Sequence, residues 1–192
     1  MEEVFDYQQV EPGEGRVGYQ DFSAKKIIFC EGARAIDNPF FNYLPFSVTK
    51  GELLLVRIPG ARFEKMLKHH VMISAFGKPE DEIFWVGSTS RFEFEGTEPT
   101  AEKRQWLEEQ LRDVLEAPFE VVAHLAGIRP TVFDIRPFLG LHPQHSCLGI
   151  FNGLGTKGAS LAPFFAKQMA DFLLGKGQVD AEVDIARFRP QS

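Results

Sequence analysis

The stretch CLGIFNGLGTKGASLAPFFAKQMADFLLG, residues 147–175, constrains this chain more than any other. A short apolar run, CLGIFNG, closes on a glycine and reads as a buried strand. A mostly apolar helix follows over 159–175, with Gly175 as its C-cap. Between them Gly153, Gly155 and Gly158 carry the spacing G-x-G-x-x-G. Strand, glycine loop and helix in that order bring backbone N–H groups and the positive end of a helix to one point, where a phosphate can meet them. A complete dinucleotide unit also needs a second parallel strand ending in an acid about 20 residues on. Glu182 or Asp184 would have to serve, yet almost no sheet-forming sequence follows them. The loop is therefore expected to approach a ligand closely without being a complete pyrophosphate-binding unit. A tight turn kept for packing is the other reading, and the favoured one on spacing alone. A second match, GEGRVG (Gly13, Gly15, Gly18), follows Pro12, which is expected to break any strand. It reads as a hairpin turn.

Strands dominate the middle of the chain. KKIIFCEG (25–32), KGELLLVRIPG (50–60), HHVMISAF (69–76) and EIFWVGST (82–89) all read as strands, with GKPEDE as a turn. IDNPFFNYLPF suits a loop with a helical turn. The period then changes. TAEKRQWLEEQLRDVLEA (100–117) starts from Thr100 as N-cap, puts Leu107, Leu111, Val114 and Leu115 on one face, and is expected to end at Pro118. FEVVAHLAGIRP (119–130) returns to strand, and VDAEVDIARF is expected as a short extended tail. This order predicts an α+β fold, or α/β with a large antiparallel insertion.

Composition narrows the partners. A net charge of −6 argues against nucleic acid. No apolar run reaches the length of a membrane span. The acidic start, MEEVFDYQQ, lacks the apolar core of a signal peptide, so a cytoplasmic location is expected, with Cys30 and Cys147 as buried, inert free thiols. Nineteen Phe promise an aromatic core. His142, His145 and Cys147 fit no standard zinc spacing, so HPQHSC reads as a surface turn and no metal is expected. His69 and His70 should point to opposite strand faces. His124 is expected on a strand face near the core, and Trp85 and Trp106 as packing residues.

Two segments considered together say more. GIRPTVFDIRPFLGLHP (127–143) followed by LGIFNGLGTKGASLAPFFAKQMA (148–170) resembles the C-terminal part of FAD-dependent oxidoreductases of the D-amino-acid oxidase and glycine oxidase superfamily. There a G-L/I-R-P strand precedes a D-x-x-P-x-I/L-G turn, then a strand, a glycine loop and a helix beginning near L-A-P. FCEGA (29–33) resembles the last strand of the family's Rossmann domain, KGELLLV its entry into the substrate domain, and FWVGST with the following helix keeps its element order. The resemblance covers roughly residues 20 to 190. It implies an incomplete FAD-binding Rossmann-like domain plus an antiparallel substrate domain. The implied parts are 1–45 as a remnant of the FAD-binding domain, 46–130 as the substrate sheet with helix 100–117, and 131–192 as the return to the FAD-binding domain. The family's N-terminal fingerprint is absent, which implies the C-terminal portion of a longer flavoprotein or a shortened gene product.

The resemblance also implies roles. Arg129 would grip a substrate carboxylate with a bidentate fork; the plainer reading pairs it with Asp134 or Glu31. Gly153, Leu154, Gly155, Thr156, Lys157 and Gly158 would run along the flavin, with Gly32, Gly127 and Ile128 as further cofactor contacts. The N-terminus of the last helix would favour the negative charge of reduced flavin. Lys157 adds charge at the ring or is a solvated loop lysine. Glycine oxidases carry an arginine in the region of Thr156 and Lys157, which puts a two-arginine grip in doubt. No thiol stands near Gly127, so FAD should be non-covalent. The implied reaction is oxidation of an amine or amino acid by direct hydride transfer to flavin, without an essential protein base. The alternative is a non-catalytic assembly module, as a homo-oligomer or paired with a chain that supplies the missing Rossmann half.

Overall fold

The computed structural model describes residues 5–62 and 65–188; the first four residues of the acidic start lie outside them. In chain order the elements are β1 (Val10–Pro12), β2 (Val17–Tyr19), β3 (Phe22–Ala24), β4 (Ile27–Phe29), β5 (Thr49–Arg57), β6 (Leu67–Lys68), β7 (Met72–Ala75), β8 (Ile83–Gly87), α1 (Ala101–Arg112), β9 (Glu120–Arg129), β10 (Phe138–Leu141), β11 (Leu148–Asn152) and α2 (Gly158–Leu173). The class is α+β. The chain divides into two compact units, Met1–Val48 with Arg129–Ser192, and Thr49–Ile128.

The second unit is built on one sheet of order β6-β7-β8-β5-β9. The run LLLV of β5 looks uniform in sequence but alternates in space. Leu54 and Val56 are fully buried, while Leu53 and Leu55 are half-buried. The buried row meets Phe84 and Val86 of β8, Ile73 of β7, and Leu107 and Leu111 of α1. Thr100 caps α1 by accepting from the Lys103 N–H. The helix stops at Arg112, well before Pro118. Its last turn tightens, with the Val114 N–H reaching the Leu111 carbonyl at 3.2 Å. Val114 therefore points to solvent, while Leu115 and Phe119 leave the helix and return to the core. Trp85 is half-buried, and Trp106 is exposed on α1. His69 and His70 also depart from expectation. They lie in the turn between β6 and β7, where strand alternation no longer holds, and their ring centroids are 4.2 Å apart.

The first unit holds two three-stranded sheets, β1-β2-β3 and β10-β11-β4. GEGRVG forms the hairpin turn of the first, with the Gly13 N–H donating to Arg16 O. Pro12 does not break the strand. It ends β1, the edge strand of that sheet, where a missing donor is tolerated. In the second sheet β11 runs parallel to β4 and antiparallel to β10. Phe29, Phe41, Phe138, Leu148 and Ile150 form the aromatic-rich core around it. α2 ends in a Schellman motif. Gly175 sits at φ +69°, its N–H donates to Phe172 O, and the Lys176 N–H donates to Asp171 O.

The C-terminal stretch is not an extended tail. Val179 and Val183 are buried with Leu139 and Met169, and Ile185–Arg187 forms a short 3-10 helix. Cys147 is buried, but Cys30 is exposed because it lies just past the end of β4; burial of its thiol and the neighbouring Glu31 still push its pKa up. His142 is buried rather than on the surface. Its Nδ1 accepts from the Gln144 and His145 N–H groups and its ring packs on Phe41. Among the described residues no cluster of His, Cys, Asp and Glu is arranged to hold a metal ion, and no helix is long and apolar enough to cross a membrane.

Candidate functional site

β4 and β11 are parallel neighbours, so their C-terminal ends open on the same side of the sheet. In open α/β sheets ligands bind beyond those carboxyl ends. Gly32 follows β4 and the 153–158 loop follows β11. Asn152, the last residue of β11, joins them. Its Nδ2 donates to Gly32 O at 3.0 Å, and its Oδ1 accepts from the Gly153 N–H at 2.8 Å. Asn152 is only 4% exposed, and its bond to Gly153 is buried while its bond to Gly32 is partly so. The sequence reading missed this residue.

The glycine loop also lies against the residues that follow Arg129. The Gly155 N–H donates to Pro130 O at 3.2 Å. A Cβ at Gly153 would lie 2.8 Å from Val132 Cγ1, and one at Gly155 would lie 3.2 Å from Thr131 Cγ2. Gly153 and Gly155 also hold φ of +75° and +55°, a region that costs an L-residue roughly 1–2 kcal/mol. Packing against 131–132 thus accounts for two of the three motif glycines. The backbone just after Arg129 and the glycine loop are thereby brought together.

The donors that remain suit an electron-rich group. Gly153, Gly155 and Lys157 spend their N–H groups within the chain, the last on Leu154 O. The N–H groups of the first turn of α2, from Gly158 to Ser160, have no intrahelical partner by geometry. Lys157, at the N-cap position, makes no side-chain cap bond. The helix therefore presents its positive end beside the loop. Gly158 is uncrowded, its Cβ position meeting only Leu154 Cβ at 3.8 Å. The Thr156 and Lys157 side chains are exposed. This donor set fits the electron-rich edge of a flavin ring, and the loop leaves room for close approach by backbone.

Arg129 ends β9 and is half-buried, which draws its pKa down from the usual guanidinium value. Neither carboxylate considered as its structural partner is idle. Asp134 accepts from Arg187 Nε at 3.1 Å and from the Arg136 N–H. Glu31 accepts from Tyr7 Oη at 2.5 Å and Asn38 Nδ2 at 2.8 Å. Gly127 and Ile128 precede Arg129 on the same strand; Gly127 is exposed and Ile128 half-buried. Asp134 pins the 131–137 turn, which the sequence pattern marks but whose continuation into strand β10 it does not. Of the two acids considered for a nucleotide ribose, Glu182 pairs with Arg136 at 2.5 Å and Asp184 caps the 3-10 helix at 185.

Known proteins resemble this chain along nearly all its length. A family model described as FAD dependent oxidoreductase (DAO) matches residues 2–172. A glycine oxidase structure from Geobacillus kaustophilus superposes with a TM-score of 0.72 at 25% identity, over 98% of this chain and 51% of that one. An iminodiacetate oxidase structure from Chelativorans sp. BNC1 gives 0.71 at 24% identity, over 95% and 52%. A stretch of 65 residues is 35% identical to the tRNA 5-methylaminomethyl-2-thiouridine biosynthesis bifunctional protein MnmC of Psychrobacter cryohalolentis, covering 34% of this chain and 9% of that protein. The chain spans about half the length of these two solved structures.

Proposed function

The chain belongs to the FAD dependent oxidoreductase family, and from that premise we propose that it supplies the flavin-ring and substrate side of an enzyme that oxidises an amine or amino acid. Bound FAD, held without a covalent link, would supply the acceptor for the hydride leaving the substrate α-carbon. Arg129 holds the substrate carboxylate, since a planar guanidinium offers two parallel charge-assisted bonds and so orients the α-carbon. The 153–158 loop and the first turn of α2 direct backbone N–H groups and positive helix charge at the ring. Gly32, Gly127 and Ile128 give the cofactor close backbone approach, and Lys157 adds positive charge. The ADP-binding half comes from polypeptide beyond this chain, and the unpaired cysteines suit the cytoplasm.

The observation that carries the reading is the convergence of three separate segments. Asn152 ties Gly32 to Gly153, and the Gly155 N–H ties the loop to Pro130, next to Arg129. Absorbance spectra of the purified chain with and without added FAD test it. A flavin band that shifts on binding, and that Gly158→Val weakens, supports the reading. A folded chain that leaves the FAD spectrum unchanged sinks it for the chain alone and favours a second reading, assembly with a partner. That second reading draws on α2, where Phe164 and Leu174 are more than half exposed on an otherwise apolar helix.

A further inference from the structure

A buried polar cluster in the 49–128 unit plays no part in the site above. Lys50 and Glu52 of β5 are 4% and 3% exposed. The Glu52 carboxylate accepts from the Thr100 N–H at 2.8 Å and from its hydroxyl at 3.0 Å, at the N-terminus of α1. His124 Nε2, on β9, lies 3.0 Å from Glu52 Oε2. Lys50 Nζ lies 3.6 Å from Glu52 Oε1 and donates to Glu98 O at 2.5 Å. The Glu52 main chain meets Thr89 both ways, donating to its Oγ1 at 2.9 Å and accepting from its N–H at 3.0 Å. One residue thus ties together four segments: the Glu52 main chain holds the segment after β8, and its carboxylate joins β5 to the start of α1 and to β9.

Stability alone is a weak reason for this arrangement, because well-packed apolar residues often hold a core as firmly as a buried ion pair. Location gives a better one. β9 is an edge strand, flanked by β5 on one side only. Beyond His124 it passes through exposed Leu125 and through Gly127, whose Cβ position has nothing within 4 Å, before ending at Arg129. An edge strand whose outer half carries such open positions has a weakly specified seat. His124 is a half-buried anchor just before that half.

We propose that Glu52 and His124 are positioning residues, whose contact fixes the seat of β9 and with it the aim of Arg129 at a substrate carboxylate. The inference rests on the role given to Arg129 above. The charged groups facing His124 are Glu52 and Lys50 from β5 and Arg104 from α1. Burial pushes its pKa below the usual value, Glu52 opposes this, and Arg104 and Lys50 reinforce it. His124 meets Glu52 through a close polar contact, Nε2 standing 3.0 Å from Oε2 without the alignment of a formed hydrogen bond. A glutamine can offer Glu52 an amide N–H in its place, and a phenylalanine cannot.

The test uses the full chain with sodium acetate as carboxylate probe, its affinity read by NMR on the acetate methyl protons, a signal available in every variant. His124→Phe should weaken acetate binding by roughly fivefold or more, because misaim of a binding group is costly. His124→Gln should return it to within about twofold of wild type, since a polar partner for Glu52 is restored. Glu52→Gln serves as the second variant if His124→Phe does not fold, and should weaken acetate likewise. A purely structural role would lower the urea midpoint of His124→Phe and leave its acetate affinity at the wild-type value, which overturns the proposal. Arg129→Ala separates the two layers. If it binds acetate as wild type does, the role of Arg129 falls and this inference with it. If it abolishes binding while His124→Phe has no effect, only the positioning role falls.

Discussion

Asn152→Ala tests whether the clamp between the two loops is what holds them. The substitution leaves the buried Gly153 N–H without its acceptor and the half-buried Gly32 carbonyl without its donor. An orphaned buried donor costs about 1–3 kcal/mol, and the carbonyl, which water can reach, about 1 kcal/mol. The expected loss is therefore about 2–4 kcal/mol. Trp85 and Trp106 both lie in the 49–128 unit, so a probe in the unit that holds Asn152 is preferred. Cys147 is the better probe, being 1% exposed in the core of the other unit, whereas Cys30 is exposed. Reaction with a thiol reagent should show a fast phase from Cys30 and a slow one from Cys147. When opening is in rapid equilibrium, 2–4 kcal/mol accelerates the slow phase by roughly 30- to 900-fold. Asn152→Asp sharpens the test. Its carboxylate can still accept from Gly153 but faces the Gly32 carbonyl, acceptor to acceptor, until it is protonated. Its folded pKa should then lie above the unfolded carboxylate value of about 3.9, so the native state of this variant keeps its stability below that value and loses it as pH rises through the folded pKa. A Cys147 rate changed by less than about threefold in Asn152→Ala, with Cys30 unaffected, would refute the clamp, since it implies under about 0.7 kcal/mol.

Other perturbations address neighbouring features. Gly153→Ala should cost about 2–5 kcal/mol, from its positive φ and from overpacking on Val132, and Val132→Ala in the same chain should recover about 1–3 kcal/mol by removing the Cγ1 that a Cβ would strike; strictly additive unfolding free energies would contradict that contact. Ile135→Gly should stabilise the protein by up to about 1 kcal/mol, because a β-branched residue at φ +59° is strained and 82% exposure leaves little burial to lose; a lower melting temperature would count against it. Glu108 is pushed up by burial, but hydrogen bonds from Arg104 and Arg112 outweigh this and hold its pKa below the usual value. Glu108→Gln should therefore cost about 0.3–1 kcal/mol near neutral pH, a deficit that vanishes as pH falls through the lowered pKa; a pH-independent deficit in α1 stability would remove the ion-pair explanation.

The readable parts of this molecule are those whose evidence is local. The apolar run at 148–152 closed by Gly153, the cap at Thr100, and the strand ending in Arg129 each carry their signal within a dozen residues, and each stands where the sequence reading puts it. The readings that failed needed knowledge of distant partners. His142 is buried because Phe41 packs on it, about a hundred residues away in sequence. Val183 and Ile185 look like a polar tail's stray apolar residues until Leu139 and Phe138 are known to await them. His69 and His70 turn on a register, set by the pairing of Leu67 with Ile73, that places both residues outside the ladder.

Asn152 shows why the site itself was only half legible. Alone, an asparagine before a glycine reads as an ordinary turn residue. Its meaning arises when β4 and β11 are seen to be parallel neighbours, so that one side chain at the end of one strand can reach the loop that leaves the other. The pairing spans 120 residues, and no periodicity announces it. The same logic applies to the glycine loop. Spacing favours a packing turn, and Val132 and Thr131 supply that packing reason for Gly153 and Gly155. Gly158, which packing does not require, is the motif glycine whose openness still asks for a ligand. A valine there would test function with little disturbance of the turn, whereas a side chain at Gly153 would disturb both at once.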